Sequence, residues 1–218
     1  MEFKIKIHGE INETLIEEVV DKLRAVYLYN KEMLDIYIEP ELYEKVILNF
    51  NSEGGLLVGF SQIEREINKL KSQGVKIIGE VDGISYSCSF LIMLLCDEIT
   101  ASKFSSFMYH RGLCALSYDK VDNHMDFLSH QQKILDRMDK FIIDRTKITK
   151  DQLDKFKVKE WYIDYDEALE LGIITESKEN ETPVLTVDDC VNSFIQAGYD
   201  VKDYKTSTEG LDYENNRD

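Results

Sequence analysis

The chain has 218 residues, 43% of them hydrophobic and 11% aromatic, which is enough apolar mass for one buried core or two small ones. Only 2 prolines and 11 glycines exclude a linker-rich or collagen-like chain. The 42 acidic and 26 basic residues leave a formal charge of -16, and so anionic a surface repels phosphate, which argues against a nucleic-acid or anionic-membrane partner.

In chain order, residues 1–9 alternate Phe3, Ile5 and Ile7 with Lys4, Lys6 and His8, the rhythm of a strand rather than of a basic head followed by an apolar signal run. Residues 10–29 carry Ile11, Leu15, Ile16, Val19, Val20, Leu23 and Val26 at steps of three and four, which predicts an amphipathic helix with Asn12 or Thr14 as its cap. Residues 45–50 form an apolar run of the kind covered on both faces of a parallel sheet, and residues 51–55 read as a turn. A second helix is predicted over 58–73, with Phe60, Ile63, Ile67 and Leu70 on one face. Another apolar strand follows over 75–81, then a turn at Asp82-Gly83 and an apolar helix from about Ser85 to Cys96.

Short strands are expected at Ile99–Ala101 and at Phe107–His110, and residues 119–146 space Val121, Met125, Leu128, Leu135, Met138, Phe141 and Ile142 along one long helix. Beyond Glu176 the composition shifts to a linker over 177–183, a short helix over 184–199 and a frayed acidic tail. The expected organisation is therefore one α/β domain over 1–176 and an acidic extension over 177–218. Strands alternating with helices at this pitch imply right-handed crossovers and a largely parallel sheet. The longest apolar run, Phe90 to Cys96, is too short to span a membrane. Cys88, Cys96, Cys114 and Cys190 form no CxxC pair and have no histidine at ligand spacing. No metal, cofactor or disulfide framework is expected, and a reducing, cytoplasmic setting is the default.

The chemistry concentrates where the 75–81 strand passes through Gly83 to Ser87 and into a helix. A serine there meets unpaired backbone N–H groups and the positive end of the helix dipole, which can hold an oxyanion. Serine is also a preferred helix cap, and Ser85, Ser87 and Ser89 compete for either role. Gly54-Gly55 follows a buried-type strand in the same way, and a backbone without Cβ can approach a ligand or pair with an extended peptide. Two such segments at one edge of a parallel sheet outline a crevice.

Asn51-Ser52-Glu53-Gly54-Gly55 is similar to the Asn-Ser-Pro-Gly-Gly segment of the Clp protease proteolytic subunit family. The stretch from Gly83 to Leu91 resembles that family's Gly-x-x-x-Ser segment around its nucleophile, and Phe107-Met108-Tyr109-His110 resembles the strand that delivers its histidine. The run from Asp166 to Ile174 resembles its Glu-Ala-x-x-x-Gly-hydrophobic signature, so that the likeness extends over about residues 4–176. It implies the fold shared by that family and the crotonases, a superhelix of repeated β-β-α units with a projecting handle helix, here residues 119–146.

Carried over by position, the resemblance makes Ser87 the nucleophile and His110 the general base, with Gly55 and Cys88 supplying the N–H groups of an oxyanion hole. Gly54 and Gly55 would line the substrate groove. The family's aspartate aligns with Glu160, and Asp164 is the nearest acidic substitute. The resemblance further implies a peptide or unfolded-protein substrate, a homo-oligomer built from stacked rings, and a AAA+ unfoldase as partner. The chain starts at the first core strand, where the family carries a further segment, which leaves coupling to an ATPase open.

Several positions depart from the pattern. Glu53 stands in place of proline, Ser89 in place of glycine or alanine, Arg111 in place of glutamine and Gly112 in place of proline. Glu53, Glu160 in place of the family's aspartate, and the start of the chain at the first core strand keep a second reading in play, a catalytically weak or inactive relative that acts as scaffold or regulator. A crotonase-type acyl-CoA enzyme is a third, and a membrane-associated signal-peptide peptidase with a serine–lysine pair ranks last.

Overall fold

Residues 1–112 and 121–175 are the parts of the chain described in the computed structural model, and all their elements lie in the unit Met1–Ser177. In order these are β1 (Glu2–Ile11), α1 (Glu13–Ile36), β2 (Lys45–Gly55), α2 (Val58–Ser72), β3 (Lys76–Tyr86), α3 (Cys88–Met93), β4 (Glu98–Ala101), β5 (Ser106–Tyr109), α4 (Val121–Arg145), α5 (Lys150–Lys155), β6 (Trp161–Ile163) and α6 (Tyr165–Glu170). The expected linker, helix and tail beyond Glu176 lie outside the described residues, as do Cys114 and Cys190.

The strands make one mixed sheet in the order β1-β2-β3-β5-β6, with β4 also paired to β3. Strand β3 serves two neighbours in succession. Ile78–Val81 pair with β4, and Ile84–Tyr86 pair with β5. All these pairings are parallel, as expected for an α/β chain of this pattern, while the three-residue β6 runs antiparallel to β5. Nothing in so short a segment announces a strand, and β6 is absent from the sequence-based reading.

Two expected turns are corrected to strand. Residues 51–55 continue β2, because β1 goes on pairing with them (His8 with Asn51, Glu10 with Gly54, Ile11 with Gly55) across a shift in register. Asp82-Gly83 likewise lies inside β3. Between the pairs Phe50–Val81 and Ser52–Ser85, the lone Asn51 stands opposite three residues of β3, so the strand bulges there. The Asn51 side chain fills the bulge: its Oδ1 accepts from Ile84 N–H at 3.4 Å and would lie 2.6 Å from any β-carbon on Gly83. Turn-forming residues were used here to bend a continuous strand.

Helix α1 starts where its capping asparagine predicts, the Asn12 side chain accepting from Leu15 N–H at 3.0 Å. It runs seven residues beyond the expected end at Tyr29. The apolar period is interrupted by Asn30, yet that side chain is buried and clamps the backbone N–H and C=O of Tyr43, both at 2.9 Å. A polar residue thus holds a core position that hydrophobic periodicity overlooks.

The core lies between the sheet and its helices. Ile5, Ile7, Leu48 and Phe50 pack with Ile16, Val19 and Leu23 of α1 and with Ile63, Ile67 and Leu70 of α2, all almost fully buried. Each such side chain contributes about 1.5–3 kcal/mol by leaving water. Glu66, also buried, is matched by Lys69 at 2.9 Å and Arg24 at 3.7 Å. Among the described side chains, α4 meets the core near its C-terminal end, where Ile142 is buried with Met138, Phe141 and Ile143 packed beside it and Asp139 is also buried, whereas Met125, Phe127 and Leu128 are exposed. No described helix is long and apolar enough to cross a membrane.

Candidate active site

The site forms where β3 gives way to α3. Ser87 occupies that junction with φ 54° and ψ -119°, the one non-glycine residue with positive φ among the described residues. Such a backbone costs on the order of 1–3 kcal/mol and persists only when the surroundings impose it. Two bonds do so here. Ser87 N–H donates to Met108 C=O of β5 at 2.8 Å, and its C=O accepts from Leu91 N–H in α3.

The serine hydroxyl makes no capping bond to α3. Instead Ser87 Oγ lies 2.7 Å from His110 Nε2. The three serines differ in burial and partner: Ser85 and Ser89 have no exposed surface, and their hydroxyls bond each other at 2.9 Å. Of the three, Ser87 is the one hydrogen-bonded to an imidazole.

His110 follows β5 and stands half-buried between two anchored neighbours. Tyr109 Oη donates to Asp139 Oδ1 at 2.7 Å, and the Arg111 guanidinium donates to Asp139 Oδ2. Burial first, then the bond to this carboxylate, pushes the Tyr109 hydroxyl well above its ordinary pKa, so it remains a donor. Asp139 belongs to α4, where sequence reading saw only a helical stripe. The one available signal was a pair of polar side chains flanking His110, both in need of an acceptor.

The two glycines differ in their surroundings. A β-carbon on Gly54 would stand 2.6 Å from Tyr86 O, 2.8 Å from Ser87 Cβ and 3.1 Å from Cys88 N. On Gly55 it would stand 2.4 Å from Ile11 O, in the backbone of β1. Gly54 N–H is taken by Ser52 Oγ at 3.0 Å, and Leu56 N–H by Ile11 C=O at 2.8 Å. Cys88 is the first residue of α3, where backbone N–H groups have no partner within the helix. Its thiol is buried, pushed up to about 12 by loss of water, and donates to Leu56 C=O at 3.4 Å. A thiol so held is no nucleophile at neutral pH.

Glu160 and Asp164, the two expected acids, both have other partners. The Glu160 carboxylate accepts from Tyr162 Oη at 2.5 Å, and among the described residues no hydrogen bond joins it to His110. Asp164 caps α6 by accepting from Glu167 N–H at 2.9 Å. The strand register nevertheless brings Glu160 near, since Tyr109 pairs with Trp161 across β5 and β6, and the next positions outward are His110 and Glu160. Tyr162, in edge contact with Tyr86, was not among the expected site residues.

A hydroxyl on a strained elbow, an imidazole nitrogen within hydrogen-bond reach, and a helix-terminal N–H beside a glycine strand are the components of acyl transfer. Among the described residues no group of three or more His, Cys, Asp or Glu side chains is placed to hold a metal.

Comparison with known proteins finds likeness to proteases. The family model described as Clp protease matches residues 1–181. Over 75 residues the chain is 25% identical to the "Probable protease SohB" of Buchnera aphidicola subsp. Acyrthosiphon pisum (strain APS), a match that covers 34% of this chain and 22% of that protein.

Proposed function

The chain belongs to the Clp protease family, and from that premise we propose that it is a serine peptidase in which Ser87 is the nucleophile and His110 the general base. The observation that carries this reading is the 2.7 Å contact between Ser87 Oγ and His110 Nε2, made by a serine held at positive φ.

In the proposed reaction, neutral His110 accepts the Ser87 hydroxyl proton at Nε2 as Oγ adds to the scissile carbonyl. The resulting oxyanion accepts hydrogen bonds from Cys88 N–H and Gly55 N–H. Strand alternation supports the choice of Gly55 over Gly54. Gly54 and Leu56 direct their N–H groups to the β1 side, so the intervening N–H turns to the opposite edge, that of Ser87. As the intermediate collapses, His110 returns the proton to the leaving amine, and water then releases the acyl group by the reverse sequence.

Glu160 is proposed as the acid that orients the imidazole, reached by rotating its side chain off Tyr162. The exposed backbone of Gly55 suits an extended peptide laid beside β2. The exposed Met125, Phe127 and Leu128 of α4 support self-association through the handle, in rings or otherwise, and an unfolded-protein substrate and a AAA+ unfoldase belong to the same reading. So does the cytoplasmic setting.

The test is labelling with a fluorophosphonate, which acylates an activated serine without needing the natural substrate. Modification mapped to Ser87, lost together with peptide cleavage in Ser87→Ala, supports the proposal. An unlabelled native oligomer, or cleavage that survives Ser87→Ala, overturns it and favours the scaffold reading.

A further inference from the structure

We propose that Asp139 is a positioning residue for His110, acting through Tyr109 and Arg111 as a single clamp on both sides of the base; the inference rests on the peptidase reading above. The geometry is specific. Asp139 is 7% exposed, and its two oxygens are used separately, Oδ1 by Tyr109 Oη at 2.7 Å and Oδ2 by Arg111. Arg111 also approaches Asp136 at 3.6 Å, one turn earlier on α4.

The two donors are the residues immediately before and after His110. Tyr109 is the last residue of β5 and is fixed by its ladder to Trp161, whereas Arg111 lies beyond the strand, past the last pairs that β5 makes with β3 and β6. A histidine at the end of a strand has one constrained side and one free side. The Arg111 bond supplies the second constraint, and the side chain that makes it is itself only 12% exposed. Burying both charges requires that they stay paired, so the contact resists opening.

The consequence is catalytic rather than merely structural. His110 Nε2 must stay within hydrogen-bond distance of Ser87 Oγ through two proton transfers, and an error of about 1 Å in such a contact can cost on the order of 100-fold in rate. Asp139 does not touch the reacting atoms. Its contribution is to keep the backbone at His110 and Arg111 from carrying the imidazole away.

The experiment compares the full-length protein with Arg111→Ala, Arg111→Lys, Asp139→Asn and the double variant Arg111→Ala/Asp139→Asn. The readouts are the fluorophosphonate reaction rate at Ser87, kcat and KM on a fluorogenic peptide, and thermal midpoints. Expected are a fall in kcat and in labelling rate of roughly 10- to 100-fold with KM within about twofold, partial recovery in Arg111→Lys, and a double variant no slower than the worse single one. Asp139→Asn keeps an acceptor for Tyr109 and Arg111→Lys keeps a cation beside the buried carboxylate, so at least one of them reports on a folded protein, as the thermal midpoints check.

Variants that label as fast as wild type, or single effects that multiply in the double variant, overturn the clamp while the peptidase reading stands. A wild-type Ser87 that does not label at all defeats the peptidase reading, and the clamp with it.

Discussion

Gly54 lies so close to Ser87 that a β-carbon on it would stand 2.8 Å from the serine Cβ and 2.6 Å from the carbonyl oxygen of Tyr86. Neither neighbour is the end of a flexible side chain, so neither can move aside without disturbing the elbow. The φ of +97° at Gly54 adds a second obstacle to any side chain. Gly54→Ala is expected to lower peptide cleavage by about 100-fold or more and to destabilise the fold by roughly 1–3 kcal/mol. Gly112, where a β-carbon would meet nothing within 4 Å, is the control. Gly112→Ala should leave the thermal midpoint in place, and a Gly54→Ala protein that folds and cleaves normally would show that this approach has no role.

The pairing of Tyr109 with Trp161 sets Glu160 opposite His110 one step beyond the ladder, while Tyr162 Oη holds the carboxylate at 2.5 Å. If Glu160 orients the imidazole, Glu160→Gln should reduce kcat by about 10³- to 10⁴-fold. Tyr162→Phe, by freeing the carboxylate, should raise kcat or leave it unreduced. Steady-state kinetics on the two variants decides the matter, since equal losses in both would mean that the acid and the tyrosine work as one fixed unit.

Burial pushes the Cys88 and Cys96 thiols up to about 12 and raises Tyr109 as well. Each of these groups is neutral in the folded protein at a pH where its unfolded counterpart is already ionising, so folding becomes less favourable as the solution turns alkaline. Stability from this source is complete below about pH 9, the ordinary thiol value, and is lost as pH rises toward 12. Urea midpoints measured from pH 7 to 11 should fall only in the upper part of that range. Iodoacetamide at pH 8 should leave both thiols unmodified, and rapid alkylation of either in the native protein would contradict the burial argument.

The exposed Met125, Phe127 and Leu128 present apolar surface on a part of α4 away from the core. If that surface joins subunits, Phe127→Lys should lower the particle mass measured by sedimentation while leaving secondary structure unchanged. An unaltered mass would move the interface elsewhere on the molecule.

Much of the fold was legible because its signals are local. The steps of three and four in α1 and α2, and the apolar runs of β2 and β3, follow from which face of each element must leave water. The errors share one physical cause. Asn30 sits in the apolar stripe of α1, Gly54 and Gly83 lie inside strands and Gly55 ends one, because distant partners satisfy them: Tyr43 in the first case, β1 and Asn51 in the others. Trp161–Ile163 is too short to show a period, and only its pairing with β5 makes it a strand.

The residues by themselves determined the α/β order of elements, the glycine-lined segments beside a serine-led helix, and the resemblance that named Ser87 and His110 together. Tertiary structure alone decided which of three serines is exposed to an imidazole, that Glu160 rests on Tyr162, and that a carboxylate from α4 grips both neighbours of His110. The division follows from how the information is carried. Periodicity and backbone preference act over a few residues, whereas these contacts join positions whose meeting depends on the register and packing of the whole sheet.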